Sequence, residues 1–275
     1  MPLLAWIVAF SALGGIASAA LAVVFLWIPE RRAARILPHF VSFATGALLG
    51  AALLALLPEA IERAGVAAAH ALGLTLIAGL GVFFVIEKLV LWWHTRGEEE
   101  AVPGHSGNHP GPRGHDSHIG HSRARDHASG VLVLVGDSVH NALDGVLIAA
   151  AFLTSVSLGL VTTFAVAAHE IPHRVGDFAI LVHAGFSRSR ALLLNVGTGV
   201  ASVIGALAAY YGLQRALWVL PYALAFAAAG FLYIAVAGLI PGLHRRADPR
   251  TSATQVVLIG LGVAVIALAG WLAGE

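Results

Sequence analysis

The sequence predicts an all-α membrane protein, a polytopic bundle of eight transmembrane helices with both termini outside. Three observations carry that prediction. The 275 residues are 58% hydrophobic and only 11% charged, with a mean hydropathy of +0.84, the balance of a chain dissolved in lipid. Eight apolar stretches of roughly twenty residues follow one another, each able to cross a bilayer as a helix. Finally, the arginines gather in alternate loops, which fixes an orientation.

The first span covers 3–28 and runs into Arg31, Arg32 and Arg35. No basic segment precedes it and its apolar run is too long for a signal peptide, so it is expected to be mature structure. The second, 37–57, closes at Pro58-Glu59, and the third, 71–93, carries Glu87-Lys88 near its end. Spans four and five, 130–153 and 158–183, hold nearly all of the polar residues found at depth. The sixth, seventh and eighth cover 191–211, 221–240 and 254–272.

Loops after the odd-numbered spans hold Arg31, Arg32, Arg35; Arg96, Arg113, Arg123, Arg125; Arg188, Arg190; and Arg245, Arg246, Arg250. The opposite side has Arg63 and Arg215. Positive charge marks the cytoplasmic face, so the termini are expected outside. The whole chain, 1–275, reads as one domain interrupted by a His-rich cytoplasmic loop at 94–129, expected to be disordered. That loop contains His94, His105, His109, His115, His118, His121 and His127 at irregular spacing among Gly, Pro and Ser. It reads either as a solvated linker or as a weak, multivalent trap for metal, and the spacing argues against one rigid site.

Composition also sets limits. A net charge of +1 with no basic stripe gives no reason to expect nucleic acid as a partner. Without cysteine there are no disulfides and no thiolate metal site, so any metal must use nitrogen and oxygen ligands. Only Lys88 among the basic residues is not arginine, and Ala and Gly abound. This bias suggests a GC-rich genome and therefore a bacterial inner membrane.

Two polar clusters sit inside the fourth and fifth spans: Asp137-Ser138-Val139-His140-Asn141-Ala142-Leu143-Asp144-Gly145 and His169-Glu170-Ile171-Pro172-His173-Arg174-Val175-Gly176-Asp177. Ionisable groups at that depth cost a few kcal/mol each on insertion scales and usually mark a pathway or a site. On helices, His140 and Asp144 share a face at i, i+4, and so do His169 and His173. The link between the spans, Thr154-Ser155-Val156-Ser157, is short, which makes them antiparallel neighbours. Both clusters then lie roughly 18 to 27 Å from that link, at one depth. A lone buried histidine is more often a hydrogen-bonded core residue. Three histidines with an Asp and a Glu at one level instead suit zinc or another first-row divalent cation. Pro172 removes a donor, frees the carbonyl of Ala168 and is expected to kink its helix.

His169-Glu170-Ile171-Pro172-His173 also matches the H-E-x-x-H string of zinc proteases, and Leu143-Asp144-Gly145 is similar to the third-ligand motif of intramembrane metalloproteases. In those enzymes the H-E-x-x-H element precedes the Asp-Gly element. Here the order is reversed, and His140 and Asn141 have no role.

The two motifs together resemble those of the ZIP (Zrt/Irt-like protein) family of divalent metal transporters. That family pairs an H-N-x-x-D-G motif in its fourth span with H-E-x-P-H-E-x-G-D in its fifth, read here as His140–Gly145 and His169–Asp177. The resemblance also covers eight spans, outward termini and a His-rich loop after the third. It implies a primary metal held by His140, Asp144, His169 and His173. Asn141, Asp144, Glu170 and His173 would line an adjoining secondary position. It further implies a homodimer and import of metal toward the cytoplasm by alternating access, with spans one, four, five and six moving against the others.

Some positions depart from the family pattern. Arg174 stands where many members have Glu, and is expected to pair with Glu170 or Asp177 and to weaken a second metal position. Ala51, Ala55, Gly238 and Gly242 replace polar residues frequent in relatives. The expected function is a secondary transporter rather than an enzyme, with zinc as cargo and Fe2+, Mn2+ or Cd2+ admitted by the same donor set. The alternatives are a metal-sensing homologue that no longer transports and an intramembrane protease. Metal uptake into vesicles separates all three.

Overall fold

The computed structural model describes residues 2–20, 28, 30–99, 117–244 and 248–272, and among them there is no strand. Helix α1 spans Leu3–Ala20. Helix α2 runs over Glu30–Gly50, a π turn at Ala51–Leu56 and Leu57–Ala64. Then come α3 at Ala69–Glu99, α4 at Ser117–Thr154, α5 at Val156–His183 and α6 at Arg188–Leu213. Helix α7 runs over Leu220–Tyr233, a π turn at Ile234–Leu239 and Ile240–His244, and α8 covers Pro249–Leu272. The all-α plan of eight spans holds. Seven of these segments are long and apolar enough to cross a membrane. The remaining one, α5, is diluted by His169, Glu170, His173, Arg174 and Asp177.

Boundaries differ from expectation at the His-rich loop. Residues 94–99 continue α3 and 117–129 begin α4, while 100–116, with His105, His109 and His115, lie outside the described residues. So do residues 21–27 at the end of the first expected span.

The π turns of α2 and α7 have a local cause in the sequence that the one at Leu13–Ala17 in α1 lacks. Each lies directly before a Leu-Pro or Ile-Pro pair, Leu57-Pro58 and Ile240-Pro241. Proline offers no N–H and its ring crowds the carbonyl four residues back, so the preceding turn widens. Accordingly Leu57 N–H donates to the carbonyl of Ala52 and Ile240 N–H to that of Ala235, each five residues back. Pro172 produces no such π turn, and α5 runs through it as continuous α-helix.

The core lies between α1, α2, α4, α5, α6 and α7, where Ile7, Leu48, Leu56, Ile148, Phe152, Leu158 and Phe231 are fully or almost fully buried. Much of the remaining contact is made by alanine, among it Ala149, Ala150, Ala151, Ala227 and Ala228. Small residues let membrane helices approach closely, which replaces the hydrophobic drive that lipid does not supply. The tightest approach joins α4 to α6. A side chain on Gly145 would collide with the Ser202 carbonyl, and one on Gly205 with the Ala142 carbonyl. Gly145 thus ends the His140–Gly145 motif for reasons of packing. Backbone cannot retreat as a side-chain tip can, so Gly205→Val is expected to cost at least the ~1–3 kcal/mol typical of overpacking. A fall in thermal midpoint and in monodisperse yield checks this. Gly197→Ala, on the same helix with open space around it, is expected to change neither.

Candidate metal centre

Helices α4 and α5 are antiparallel neighbours joined by a tight link, with Ser155 capping α5 by accepting from the Leu158 N–H at 3.1 Å. This sets the two polar clusters side by side. His140 Nε2 lies 3.3 Å from His169 Nε2, 3.7 Å from Asp144 Oδ2 and 3.6 Å from Glu170 Oε1. His169 Nε2 lies 3.4 Å from Asp144 Oδ2 and 4.0 Å from Glu170 Oε1. One donor atom from each of His140, Asp144, His169 and Glu170 falls within 4.8 Å of all the others. His169 Nδ1 donates to the Ala165 carbonyl at 3.1 Å, which turns Nε2 toward the group as a free lone pair.

His169 and Glu170 are fully buried, Asp144 almost so, and His140 half-buried. Asp144 Oδ2, Glu170 Oε1 and His173 Nε2 are buried without a hydrogen-bond partner among the described residues. Burying such acceptors unsatisfied costs about 1–3 kcal/mol each, more when charged. A divalent cation held by the group of four removes that cost for the two carboxylates, and two imidazoles with two carboxylates supply the four N/O donors that zinc commonly takes.

Glu170, expected at the adjoining position, completes the tight group of four. His173, expected inside it, stands beside it with its ring centroid 5.7 Å from that of His140 and 6.0 Å from that of His169. Asn141 is turned away from the group. Its amide donates to Asp137 at the carbonyl (2.8 Å) and at Oδ1 (3.1 Å), and its oxygen accepts from Arg174.

Arg174 is fully buried and ties four helices together. Its Nε lies 2.8 Å from Glu170 Oε2, and Nη1 donates to Asp137 Oδ2 at 2.8 Å and to the Asn195 carbonyl at 2.9 Å. Thr198 Oγ1 also accepts from Nη1, and Nη2 reaches the Gly15 carbonyl of α1 at 3.5 Å. The expected pairing with Glu170 is present, and the other close carboxylate is Asp137. Glu170 therefore divides its oxygens, Oε1 toward the imidazoles and Oε2 toward the guanidinium.

Three participants were missed from sequence: Asp137, Asn195 and Thr198. Asp137 lies four residues before Asn141 and seven before Asp144, on one helical face. Asn195 and Thr198 are polar positions within the otherwise apolar α6, a signal that could have been read.

A cavity of about 270 Å³ reaches the centre between α3, α4, α5 and α7. His140 and His173 form its inner wall, and Glu87, Gly136, Tyr233 and Gly238 line the rest. Across it Tyr233 donates its hydroxyl proton to Glu87. Ala51 and Ala55, by contrast, are buried in the apolar π turn of α2.

A family model described as ZIP Zinc transporter matches residues 3–270. Zinc transporter ZIP13 of Pongo abelii is 35% identical over 248 residues, covering 84% of this chain and 66% of its own length. The Homo sapiens zinc transporter ZIP13 is 34% identical over 268 residues, covering 84% of this chain and 70% of its own. A zinc transporter ZIP13 homolog of Drosophila melanogaster is 32% identical over 281 residues, covering 85% and 77%. The chain spans between 66% and 77% of the length of these relatives.

Proposed function

The chain belongs to the ZIP zinc transporter family, and from that membership we propose that it is a secondary transporter for a divalent metal, zinc foremost. The observation that carries this reading is the buried four-donor group of His140, Asp144, His169 and Glu170 with orphaned acceptors at the foot of an open cavity. Zinc, as cargo, is bound there by neutral imidazoles and two carboxylates. Fe2+, Mn2+ and Cd2+ suit the same atoms, so selectivity is left to geometry and availability.

The cavity supports import toward the cytoplasm by alternating access. Its lining residues Glu87 of α3, Gly136 of α4 and Gly238 of α7 all lie toward helix ends that adjoin arginine-rich loops. By the positive-inside rule that end is cytoplasmic, both termini are outside, and this arrangement faces inward. His173 stands between the four-donor group and the cavity and serves as the next ligand on the way out. Asn141, tied to Asp137 and Arg174, supports the site rather than binding cargo. We place the protein, as a single domain over 1–275 and a homodimer, in a cell membrane. The arginine-over-lysine bias supports a bacterial inner membrane on composition alone, since the relatives above are animal proteins.

A protease reading fares worse. In it Glu170 must be free to act as general base, yet Oε2 is held by Arg174. Reconstituted vesicles distinguish the readings: a transporter accumulates zinc, a sensor binds it without accumulation, and a protease holds zinc without accumulation but cleaves peptide bonds. Saturable uptake by the wild-type protein is the expected result, and binding without uptake overturns the proposal. The histidines of 94–129 are read as a cytoplasmic trap that tunes uptake. Deleting residues 105–121 is expected to change zinc uptake in vesicles less than about twofold while altering its response to cytoplasmic zinc. Complete loss in a folded protein would put the loop on the pathway.

A further inference from the structure

We propose that the cleft between the N-terminal ends of α2 and α8 binds the phosphate of an anionic phospholipid headgroup. The cleft encloses about 280 Å³ and lies away from the metal centre, with no lining residue in common with its cavity. Arg35, His39 and Ser42 line it from α2, and Arg250, Thr251 and Gln255 from α8. The two helices are parallel and locked together below it. A side chain on Gly46 would strike the Ile259 carbonyl, and one on Gly262 the Phe43 carbonyl. Arg35 and Arg250 thus line one cleft of a rigid helix pair.

Neither Arg35 nor Arg250 has an ion-pair partner among the described residues. Nearby polar groups are otherwise employed, which leaves the arginines as the free donors. The Thr251 hydroxyl and, at 3.0 Å, the Thr251 N–H both donate to Asp248, which holds its carboxyl below the usual carboxylate range and caps α8. His39 Nδ1 donates to the Arg35 carbonyl at 2.8 Å, and Gln255 Nε2 to the Leu243 carbonyl at 3.2 Å. The helix end is therefore already satisfied, and the two planar guanidiniums supply the recognition. Such forks match phosphate oxygens in bidentate fashion.

Depth selects a lipid over a free ion. Arg35 opens the apolar stretch of α2 and Arg250 sits in the first turn of α8, both at the polar boundary. Pro38 and Leu258 form the apolar part of the wall. Below the cleft, α8 exposes Val256, Val257 and Leu261, a surface suited to acyl chains. Basic pockets of this kind between membrane helices hold anionic headgroups. The site is independent of which metal the protein carries and of whether it transports.

The test is native mass spectrometry of the full chain released from nanodiscs of phosphatidylglycerol or phosphatidylcholine. Preferential retention of phosphatidylglycerol is expected, falling about tenfold in Arg35→Gln/Arg250→Gln and by a smaller factor in Arg35→Lys/Arg250→Lys, which keeps the charge and loses the fork. Millimolar inorganic phosphate is expected to leave the retained lipid in place. Equal retention of the two lipids by the wild type overturns the proposal. So does unchanged retention in the Gln pair, or displacement of the lipid by inorganic phosphate. If the Gln pair fails to fold, the lipid comparison in the wild type and the phosphate competition still decide.

Discussion

Asp144→Asn is expected to lower zinc affinity by at least about 100-fold and reduce uptake to background, without disturbing insertion into the membrane. Asparagine has nearly the same volume and preserves the helix, so the change is confined to charge and donor strength. Asp144 Oδ2 lies 3.7 Å from His140 Nε2 and 3.4 Å from His169 Nε2, between the two imidazoles. The remaining carboxylate, Glu170, already shares its charge with Arg174 at 2.8 Å. Loss of Asp144 thus leaves a near-neutral pocket for a doubly charged ion. Changes to residues that merely orient metal ligands cost about 10- to 100-fold, and removal of the central anionic ligand exceeds that. His173→Ala differs in kind. It leaves the group of four intact, so affinity is expected to fall less than about tenfold while uptake drops more, because the step into the cavity is lost. Calorimetric zinc titration together with tracer uptake separates the two variants. Full affinity in Asp144→Asn removes the four-donor group as the binding site.

The difference between those two variants also shows where sequence reasoning reached and where it stopped. Spans follow from local hydropathy, and α4 and α5 show which residues share a face because i, i+4 spacing is a property of one helix. His140 with Asp144 was legible in this way. Which atoms of a second helix meet that face depends on rotation about its axis, and no spacing rule fixes it. Glu170, expected only at the secondary position, therefore joins the tight group of four, while His173, expected at both positions, stands beside it. The same limit hid Asp137 as the partner of Arg174, since 37 residues and a helix-to-helix contact separate them. Asp177 was the nearer candidate by sequence. The π turns of α2 and α7 were open to inference from Pro58 and Pro241, yet proline in membrane helices has several outcomes, as the unbroken α-helix at Pro172 shows. Gly145 taught a related lesson: it was read as part of a metal motif, and its position against the Ser202 carbonyl makes it a helix-crossing residue.

Replacing Arg174 by Glu is expected to raise the metal content of the centre from one ion per protomer to two. Arginine stays protonated under essentially all conditions, so in the wild type a fixed positive charge occupies the space between Asp137, Glu170, Asn141 and Asn195. A second divalent ion a few Å from that charge is repelled, and its ligands are already taken. One ion, in the group of four, is the wild-type expectation. With Glu in its place, three carboxylates face one another in a buried setting with no counter-charge. Removing one partner from a buried ion pair costs about 3–5 kcal/mol, and adding a like charge increases that cost. The variant can relieve it by recruiting a cation to oxygen ligands offered by Asp137, Glu170 and the new carboxylate. Its stability is therefore expected to depend on metal, with a large fall in thermal midpoint after chelation and recovery on adding zinc. The wild type is expected to shift less under the same treatment. Elemental analysis of metal per protomer, run beside melting curves with and without chelator, measures both effects. Arg174→Gln controls for loss of charge alone, and is expected to be destabilised without gaining a second ion. Two ions at the centre of the wild-type protein, or one ion with no metal-dependent stability in Arg174→Glu, would show that the guanidinium does not stand in for a second cation.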